Sequence, residues 1–249
     1  MEGTAVRGRL TWRLAELVAE KPETPHAKTL VFGVPGWPGH IPGQHIDIRL
    51  TAEDGYQTER SYSIASAPDG DVIEITVERL EDGEVSPYLD DVLRVGDKLE
   101  LRGPIGGHFV WDVEDGGPLL LIAGGSGVAP LMAMIRRRAQ LKSQIPTRLL
   151  YSARSLDDVF YRDELERRSE TESNLDVVLT LTRSQPAGWS GQVRRIDRAM
   201  IAEIAWPLSD RPLCYICGPT TLVEAAARFM VELGHDPARI KTERFGPTG

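Results

Sequence analysis

Cysteine is scarce in this chain: Cys214 and Cys217 are the only two in 249 residues. They stand in "RPLCYICGP", an apolar run closed by Gly-Pro that reads as a buried strand. On a strand, their odd spacing sends the side chains to opposite faces, which excludes a disulfide or a shared metal. Two cysteines are also too few for a Cys₄ iron–sulfur cluster within the chain, and no metal site is expected. Positive charge is short as well: 29 Lys and Arg against 37 Asp and Glu leave a formal net charge of -8. A phosphate backbone or an anionic lipid surface needs a basic footprint, so neither nucleic acid nor membrane is an expected partner.

One uncharged stretch approaches membrane-spanning length, "PLLLIAGGSGVAPLMAMI" over residues 118–135. Its centre is GGSG with Pro130 following, so it reads as a buried strand, a glycine turn and a helix. The N-terminal "MEGTAVRGRLTWRLAELVAEK" is interrupted by charges where an export signal needs an apolar core, and a cytoplasmic protein is expected.

What is present is enough apolar residue, 41% of the chain, to build two cores. Up to Trp111 the pattern is short runs between Gly, Pro and Asp turns: "RLTWRLAELVAE", "AKTLVFGV", "QHIDIRL", "RSYSIAS", "VIEITVERL" and "DKLELRGPI". Many short strands with few edges to spare argue for an antiparallel Greek-key β-barrel, assigned to residues 1–112. From Pro118 onward, strands "PLLLIA", "TRLLYSA", "LDVVLTLT" and "PLCYIC" alternate with helices "APLMAMIRRRAQLK", "DDVFYRDELERRS", "IDRAMIAEIA" and "TLVEAAARFMVELG". That alternation predicts an α/β domain with a doubly wound parallel sheet, assigned to residues 113–249, with "DVEDGGP" (Asp112 to Pro118) as the linker.

Three local patterns carry chemistry. In "RSYSIAS", strand alternation puts Arg60, Tyr62 and Ile64 on one side and Ser61, Ser63 and Ala65 on the other. That segment is either a ligand-binding strand or one whose Tyr covers the core while its Arg is solvated. "EDGEVSPYL" is either a hairpin turn with a helix cap or a phosphate cradle. "AGGSGVAP" runs from a strand through Gly124, Gly125, Ser126 and Gly127 into a helix, where free N–H groups suit a pyrophosphate. It is not G-x-G-x-x-G, and no ribose-binding acid follows in a matching unit, so the Rossmann fingerprint fails and a purely structural turn stays open.

Taken in order, the motifs resemble the ferredoxin–NADP reductase superfamily. "RSYSIAS" is similar to its R-x-Y-S flavin motif, "GEVSPYL" to its G-x-x-S-x-x-L phosphate motif, "GGSGVAP" to its nucleotide loop, "CGP" to its gating turn and "ERFG" to its terminal Glu–aromatic segment. The resemblance spans "PGQHIDI" to "ERFG", nearly the whole chain. It implies FAD, in preference to FMN, on the barrel and NADPH, with NADH possible, on the α/β domain. Arg60 and Ser61 would then lie at the flavin, Arg60 pairing with its phosphate. Tyr62 would lay its ring on the isoalloxazine and Ser63 would hydrogen-bond near N5. The backbone of Ile75, Thr76 and Val77 would line the ring or ribityl tail, and Gly83, Glu84, Val85 and Ser86 would cradle phosphates. Phe109 or Trp111 would stack on adenine, the alternative for either being ordinary core. Gly125, Ser126, Gly127, Gly218 and Pro219 would hold the nicotinamide nucleotide, with Cys217 beside the nicotinamide. Glu243 would relay or balance charge near N5, and Phe245 would cover the flavin face opposite Tyr62. Ser63, Cys217 and Glu243 are thus the expected catalytic set. "LTRSQ" resembles the 2′-phosphate segment and nominates Thr182 and Arg183, with Arg154, Arg162, Arg194 and Arg195 nearby. The run Arg136 to Arg138 reads as a solvated helix face or, alternatively, a docking patch.

The implied activity is hydride transfer from nicotinamide to flavin, then electron release. Without cluster cysteines, the expected acceptor is a separate protein: a ferredoxin, flavodoxin, haem or molybdenum protein, or oxygenase component. A monomer is expected. The alternatives are a flavin or ferric reductase using diffusible flavin, and a non-catalytic flavin-binding subunit.

Overall fold

The computed structural model describes residues 10–245. The first nine residues of the N-terminal reading, including Arg9 of the first strand run, and Gly246 of "ERFG" lie outside them. Six strands form the first sheet: β1 (Arg13–Thr24), β2 (Ala27–Gly33), β3 (His45–Thr51), β4 (Gln57–Ser63), β5 (Val72–Glu78) and β6 (Lys98–Ile105). Their order is β4-β3-β6-β1-β2-β5, every pair antiparallel. Alternate residues build one interior, with Ala15, Leu17, Leu30, Phe32, Ile46, Ile48, Ile73, Ile75, Val77 and Leu101 all fully buried. The sheet's two outer strands meet just past β4, where Ile64 bridges Ile75 and the Ala65 N–H donates to the Glu74 carbonyl at 2.7 Å. Among the described residues no ladder joins the strands beyond that bridge. Ser63 and Tyr62 therefore lie across from Thr76 and Val77 along an unpaired seam in an otherwise closed barrel. A short helix α1 (Val85–Pro87), continued by a π-turn over Tyr88–Val92, lies against β4.

The second sheet is wholly parallel: β7 (Leu119–Gly124), β8 (Thr147–Ala153), β9 (Leu175–Leu181), β10 (Leu213–Pro219) and β11 (Ile240–Phe245), in the order β11-β10-β7-β8-β9. Helices α2 (Val128–Gln140), α3 (Arg162–Thr171), α4 (Arg198–Ile204) and α5 (Thr220–Glu232) cover it. Leu119, Leu121 and Tyr151 enter the core on one face and Leu120, Ile122 and Leu150 the core on the other, which is why these strands are continuous apolar runs. Cys214 and Cys217 divide between the two faces, as their spacing requires. The residues 118–135 stretch is a strand, a turn and a helix, and no helix among the described residues is long and apolar enough to cross a membrane.

Three departures from the sequence reading have physical causes. β11 lacks the apolar period of the other strands because, at the sheet edge, its residues are only half covered. The helix expected from Asp157 starts at Arg162 instead, because Tyr161 takes the left-handed conformation (φ 57°) and its N–H donates to Glu23 of β1 at 2.9 Å. The Arg136 to Arg138 run is not a solvated face, nor is it free to dock a partner. Arg138 is 1% exposed and pairs with Glu172, Arg136 bridges the two domains, and Arg137 reaches Asp112 at 3.3 Å.

Candidate active site

On the barrel side, Arg60 is exposed, and its guanidinium donates only to the neighbouring Glu59 carbonyl at 2.7 Å. The arginines on the next two strands of the sheet are committed: Arg49 pairs with Glu100 at 2.8 Å, and Arg102 pairs with Asp47 at 2.9 Å and Glu59 at 3.2 Å. Arg60 thus remains available to an outside anion. Two residues along, Tyr62 packs its half-buried ring against the barrel core. Burial pushes its phenol well up, and the Arg60 charge pulls it partly back. Ser61 faces the other way and donates to Asp47 at 2.6 Å, which leaves only its backbone on the seam side. Ser63 is 8% exposed at the seam's upper end. Opposite, Ile75 and Val77 send their side chains into the core and present backbone alone, while Thr76 bonds Thr29 (2.7 Å) and Tyr161.

The seam leads to the turn before α1. The Gly83 N–H donates to the Leu80 carbonyl at 3.0 Å and the Leu80 N–H to Ser86 Oγ at 3.1 Å. A Cβ on Gly83 would stand 2.9 Å from that Oγ, so a larger residue would open the turn. No side chain caps the start of α1, and Val85 and Ser86 are buried there with the Ser86 proton still free to donate. The Glu84 carboxylate accepts from Tyr56 at 3.1 Å, so the one acid in the cradle is tied to the preceding loop. An uncommitted guanidinium, an uncapped helix start and an open seam together suit a phosphate-bearing planar group. Arg60→Ala should accordingly weaken flavin retention by about thirtyfold, the value of roughly one charge-assisted hydrogen bond. Equilibrium dialysis of refilled protein measures it, and an unchanged affinity would remove Arg60 from the flavin site.

Phe109 and Trp111 do not behave as expected. Trp111 is fully buried, with its indole N–H donating to the Gly116 carbonyl at 3.1 Å. Phe109 is 6% exposed and meets Tyr215 edge-on at 5.4 Å. Both are core at the junction between the domains, with no face left for adenine.

In the α/β domain, the sheet order reverses between β7 and β10, the crevice where open parallel sheets take ligands. Here glycines are required by contact. A Cβ on Gly127 would stand 2.3 Å from the Cys217 carbonyl oxygen, and one on Gly218 (φ 149°) would stand 2.9 Å from the Gly124 oxygen. Gly125 (φ 54°) faces open space, and Ser126 beside it is half-buried. The start of α2 has no side-chain cap and is entered through a 3-10 turn over Gly125–Gly127; the Val128 N–H is used on the Gly125 carbonyl and Pro130 has none, so the turn itself is the part that suits a pyrophosphate.

β10 and β11 bring together residues 26 apart in sequence. Cys217 lies in register with Glu243, Sγ donating to Oε2 at 3.9 Å, and Pro219 with Phe245. Burial raises the Glu243 carboxyl to about 7, against a smaller pull from the Cys217 hydrogen bond. Burial, then the Glu243 charge, holds the Cys217 thiol well above its usual range. Phe245 packs against the same core as Cys217. At the ends of β8 and β9 two loops zip together: the Arg183 N–H donates to the Arg154 carbonyl at 2.8 Å, and Thr182 donates through N–H (3.0 Å) and Oγ1 (3.1 Å) to the Ala153 carbonyl. Arg154 and Arg183 are thereby neighbours, both exposed. Arg194 is bound to Asp197 at 2.8 Å and Arg162 to Glu166 at 2.9 Å, which makes them poorer candidates.

The motifs missed the set of contacts joining the domains: Glu23, Thr29, Tyr161 and Glu164 were not nominated, and Thr76 and Arg136 were nominated for other roles. No short pattern marks them, because their partners are distant in sequence.

Two family models match the chain, an oxidoreductase FAD-binding domain over residues 15–111 and an oxidoreductase NAD-binding domain over residues 121–228. Ferredoxin–NADP reductase B of Sorangium cellulosum is 34% identical over 242 residues, covering 93% of this chain and 96% of that protein. The glycine betaine monooxygenase reductase subunit of Pseudomonas aeruginosa is 31% identical over 209 residues, covering 83% of this chain, which spans only 56% of that relative's length. Among solved structures, the flavohem-like FAD/NAD-binding domain of nitric oxide dioxygenase from Vibrio cholerae superposes with a TM-score of 0.84 at 26% identity, covering 94% of this chain and 99% of that one. An antiparallel barrel with an open seam, a parallel sheet with a glycine turn at its switch point and near full-length similarity agree: the chain belongs to the ferredoxin–NADP reductase superfamily, with an FAD-binding domain followed by a nicotinamide-nucleotide-binding domain.

Proposed function

We propose that the protein is a cytoplasmic, monomeric NAD(P)H-dependent reductase that draws hydride from NADPH, or less well NADH, and passes electrons to a separate acceptor protein such as a ferredoxin, flavodoxin or oxygenase component. The observation that carries this reading is the Cys217–Glu243 pair at the switch point, beside the glycine turn that precedes α2. Relatives named as reductase subunits support a separate acceptor. When bound, FAD would be held by Arg60, the Gly83 to Ser86 turn and the seam at Tyr62 and Ser63, and would supply the chemistry that converts a two-electron donor into single-electron delivery.

The chain's own residues bind, orient and manage one proton. Arg60 and the α1 start neutralise phosphate charge. Tyr62 forms a flat wall that excludes water from one side of the seam, and Ser63 offers a hydroxyl at its end. The Gly125 to Gly127 turn offers its backbone to the nucleotide. Glu243 holds a proton at Oε near neutral pH, where giving or taking it costs little. Arg154 and Arg183 offer two guanidinium groups to a ribose 2′-phosphate.

Anaerobic titration of flavin-loaded protein tests the reading. Near-stoichiometric bleaching by NADPH is expected, and bound flavin that neither NADPH nor NADH bleaches would sink it. In the same assay Arg183→Ala should weaken NADPH at least about tenfold, the loss of a charge-assisted contact, and leave NADH within about twofold. Equal losses for both nucleotides would remove Arg183 from the 2′-phosphate site.

A further inference from the structure

The two domains meet through an apolar junction that includes Ala27, Ala65, Phe109 and Trp111, through single contacts such as Tyr215 and Lys241 to the Val110 carbonyl, Gln140 to the Pro68 carbonyl and Arg137 to Asp112, and through two larger polar anchors. One anchor is a ring of hydrogen bonds. Thr29 donates to Glu23 at 2.9 Å and bonds Thr76 at 2.7 Å, Thr76 bonds the Tyr161 hydroxyl, and the Tyr161 N–H returns to Glu23 at 2.9 Å. The other is Arg136. Its Nη1 donates to the Ala65 carbonyl at 3.0 Å and to Glu74 at 2.8 Å, and its Nη2 to Glu164 at 2.6 Å. Its guanidinium carbon also lies 5.1 Å from the centre of the Tyr161 ring, which links the two anchors.

The elements that Arg136 joins matter more than the number of its bonds. Ala65 comes two residues after Ser63, at the point where the seam closes, and Glu74 is the partner to which the Ala65 N–H donates. On the other side, α2 carries Arg136 two turns beyond Val128, about 12 Å along the helix from the glycine turn. One side chain therefore fixes the end of the flavin strand against the helix whose start receives the nucleotide. Apolar burial is non-directional and leaves the angle between the domains loosely specified, whereas a planar guanidinium held on its own domain by Glu164 and donating across the junction to Ala65 and Glu74 specifies it more closely. The surroundings hold the fork charged: Glu164 is drawn down to about 2 by Arg136 and Arg168 in spite of its burial.

We propose that Arg136 is a positioning residue for hydride transfer, an interdomain clamp that sets the distance and angle between the seam at Ser63 and the Cys217–Glu243 end of the parallel sheet. The proposal rests on the reductase reading above. It requires that loosening the clamp spare both ligand sites, since Arg136 reaches neither the α1 turn nor the Gly125 to Gly127 turn.

The test uses the full chain with Arg136→Ala and, as milder variants, Arg136→Lys and Glu74→Gln. In the absence of nucleotide, amide hydrogen exchange should rise at residues 64–66, 73–75 and 161–165 and stay unchanged across β8 and β9. With flavin loaded, anaerobic stopped-flow reduction at saturating NADPH should slow at least about tenfold, as expected when reacting atoms are misplaced by a fraction of an ångström. Flavin content and NADPH affinity should stay within about twofold, and the deuterium isotope effect with 4-deuterated NADPH should become steeper with temperature. Glu74→Gln keeps two of the three contacts and should move each readout less in the same direction, so it and Arg136→Lys carry the test if Arg136→Ala does not fold. Unchanged reduction and exchange in all variants would overturn the clamp, as would slowing fully explained by lost flavin or nucleotide affinity. If the parent protein is not reduced by either nucleotide, the reductase reading fails by itself, and a variant exchange map identical to the parent's would separately remove the clamp.

Discussion

Gly127→Ala should retain bound flavin yet lose NADPH-driven reduction by at least about a hundredfold. Gly127 has ordinary helical torsions (φ -62°, ψ -8°), so alanine meets no backbone objection there. The objection is contact: its Cβ would stand 2.3 Å from the Cys217 oxygen, 2.5 Å from the Cys217 carbonyl carbon and 2.6 Å from the Gly218 nitrogen. All three are backbone atoms of a strand held on both sides, β10 between β7 and β11, and they cannot rotate away. Relief means moving the Cys217–Gly218 peptide by about 1 Å, which displaces the thiol facing Glu243 and the end of the strand together. Overpacking of this kind costs about 1–3 kcal/mol or more in stability, so a lowered melting temperature is expected as well. Gly125→Ala is a control for stability only, since Gly125 lies in the nucleotide turn: the torsion is strained (φ 54°) but no protein atom meets the added Cβ, and a stability cost of about 1 kcal/mol is expected. Melting curves of both variants and stopped-flow reduction of Gly127→Ala decide the matter. Reduction of Gly127→Ala at the parent rate would show that the interlock of the two glycine turns is dispensable.

How far such a site can be read from sequence depends on the range of its contacts. Arg60, the Gly83 turn and the Gly124 to Gly127 turn were legible because their chemistry is local, with a cation on a strand and glycines where backbone must approach backbone. The barrel strands were legible by period two and the parallel strands by their apolar runs. The Cys217–Glu243 pair was only half legible. Each residue could be nominated, but their meeting depends on the β10–β11 register, and β11 carries no apolar period of its own. Phe109 and Trp111 could be read as either an adenine platform or ordinary core, and nothing local decides for the core they form at the junction. The interdomain anchors were least legible: Glu23 and Tyr161 are 138 residues apart. Three successive arginines look like a solvated face until Glu74, Glu164 and Glu172 are brought to them from other elements.

Glu243→Gln should make the flavin-free protein more stable at alkaline pH. A buried carboxyl raised to about 7 binds its proton more tightly folded than unfolded, where it titrates near its ordinary 4.5. Below pH 4.5 both states hold the proton and Glu243 contributes no penalty. As pH rises from 4.5 to about 7 the unfolded chain releases the proton first, so the folded state is progressively disfavoured, and above 7 the full loss of about 3 kcal/mol persists. The neutral amide removes that loss. The variant should therefore match the parent near pH 4.5 and exceed it by up to about 3 kcal/mol at pH 9, roughly 150-fold in the folding equilibrium. The Cys217 thiol stays protonated in the folded state while the unfolded thiol ionises near its ordinary 9, a contribution common to parent and variant that cancels in the comparison. Urea unfolding at a series of pH values gives the two curves. Parallel curves would mean that Glu243 titrates as an ordinary surface acid, and the group that holds a proton near neutral pH at this site would have to be sought elsewhere. Diverging curves should be matched in the flavin-loaded enzyme by a pH break near 7 in acceptor reduction that is absent from the Gln variant. The same stored proton would then account for both results, one read as stability and the other as rate.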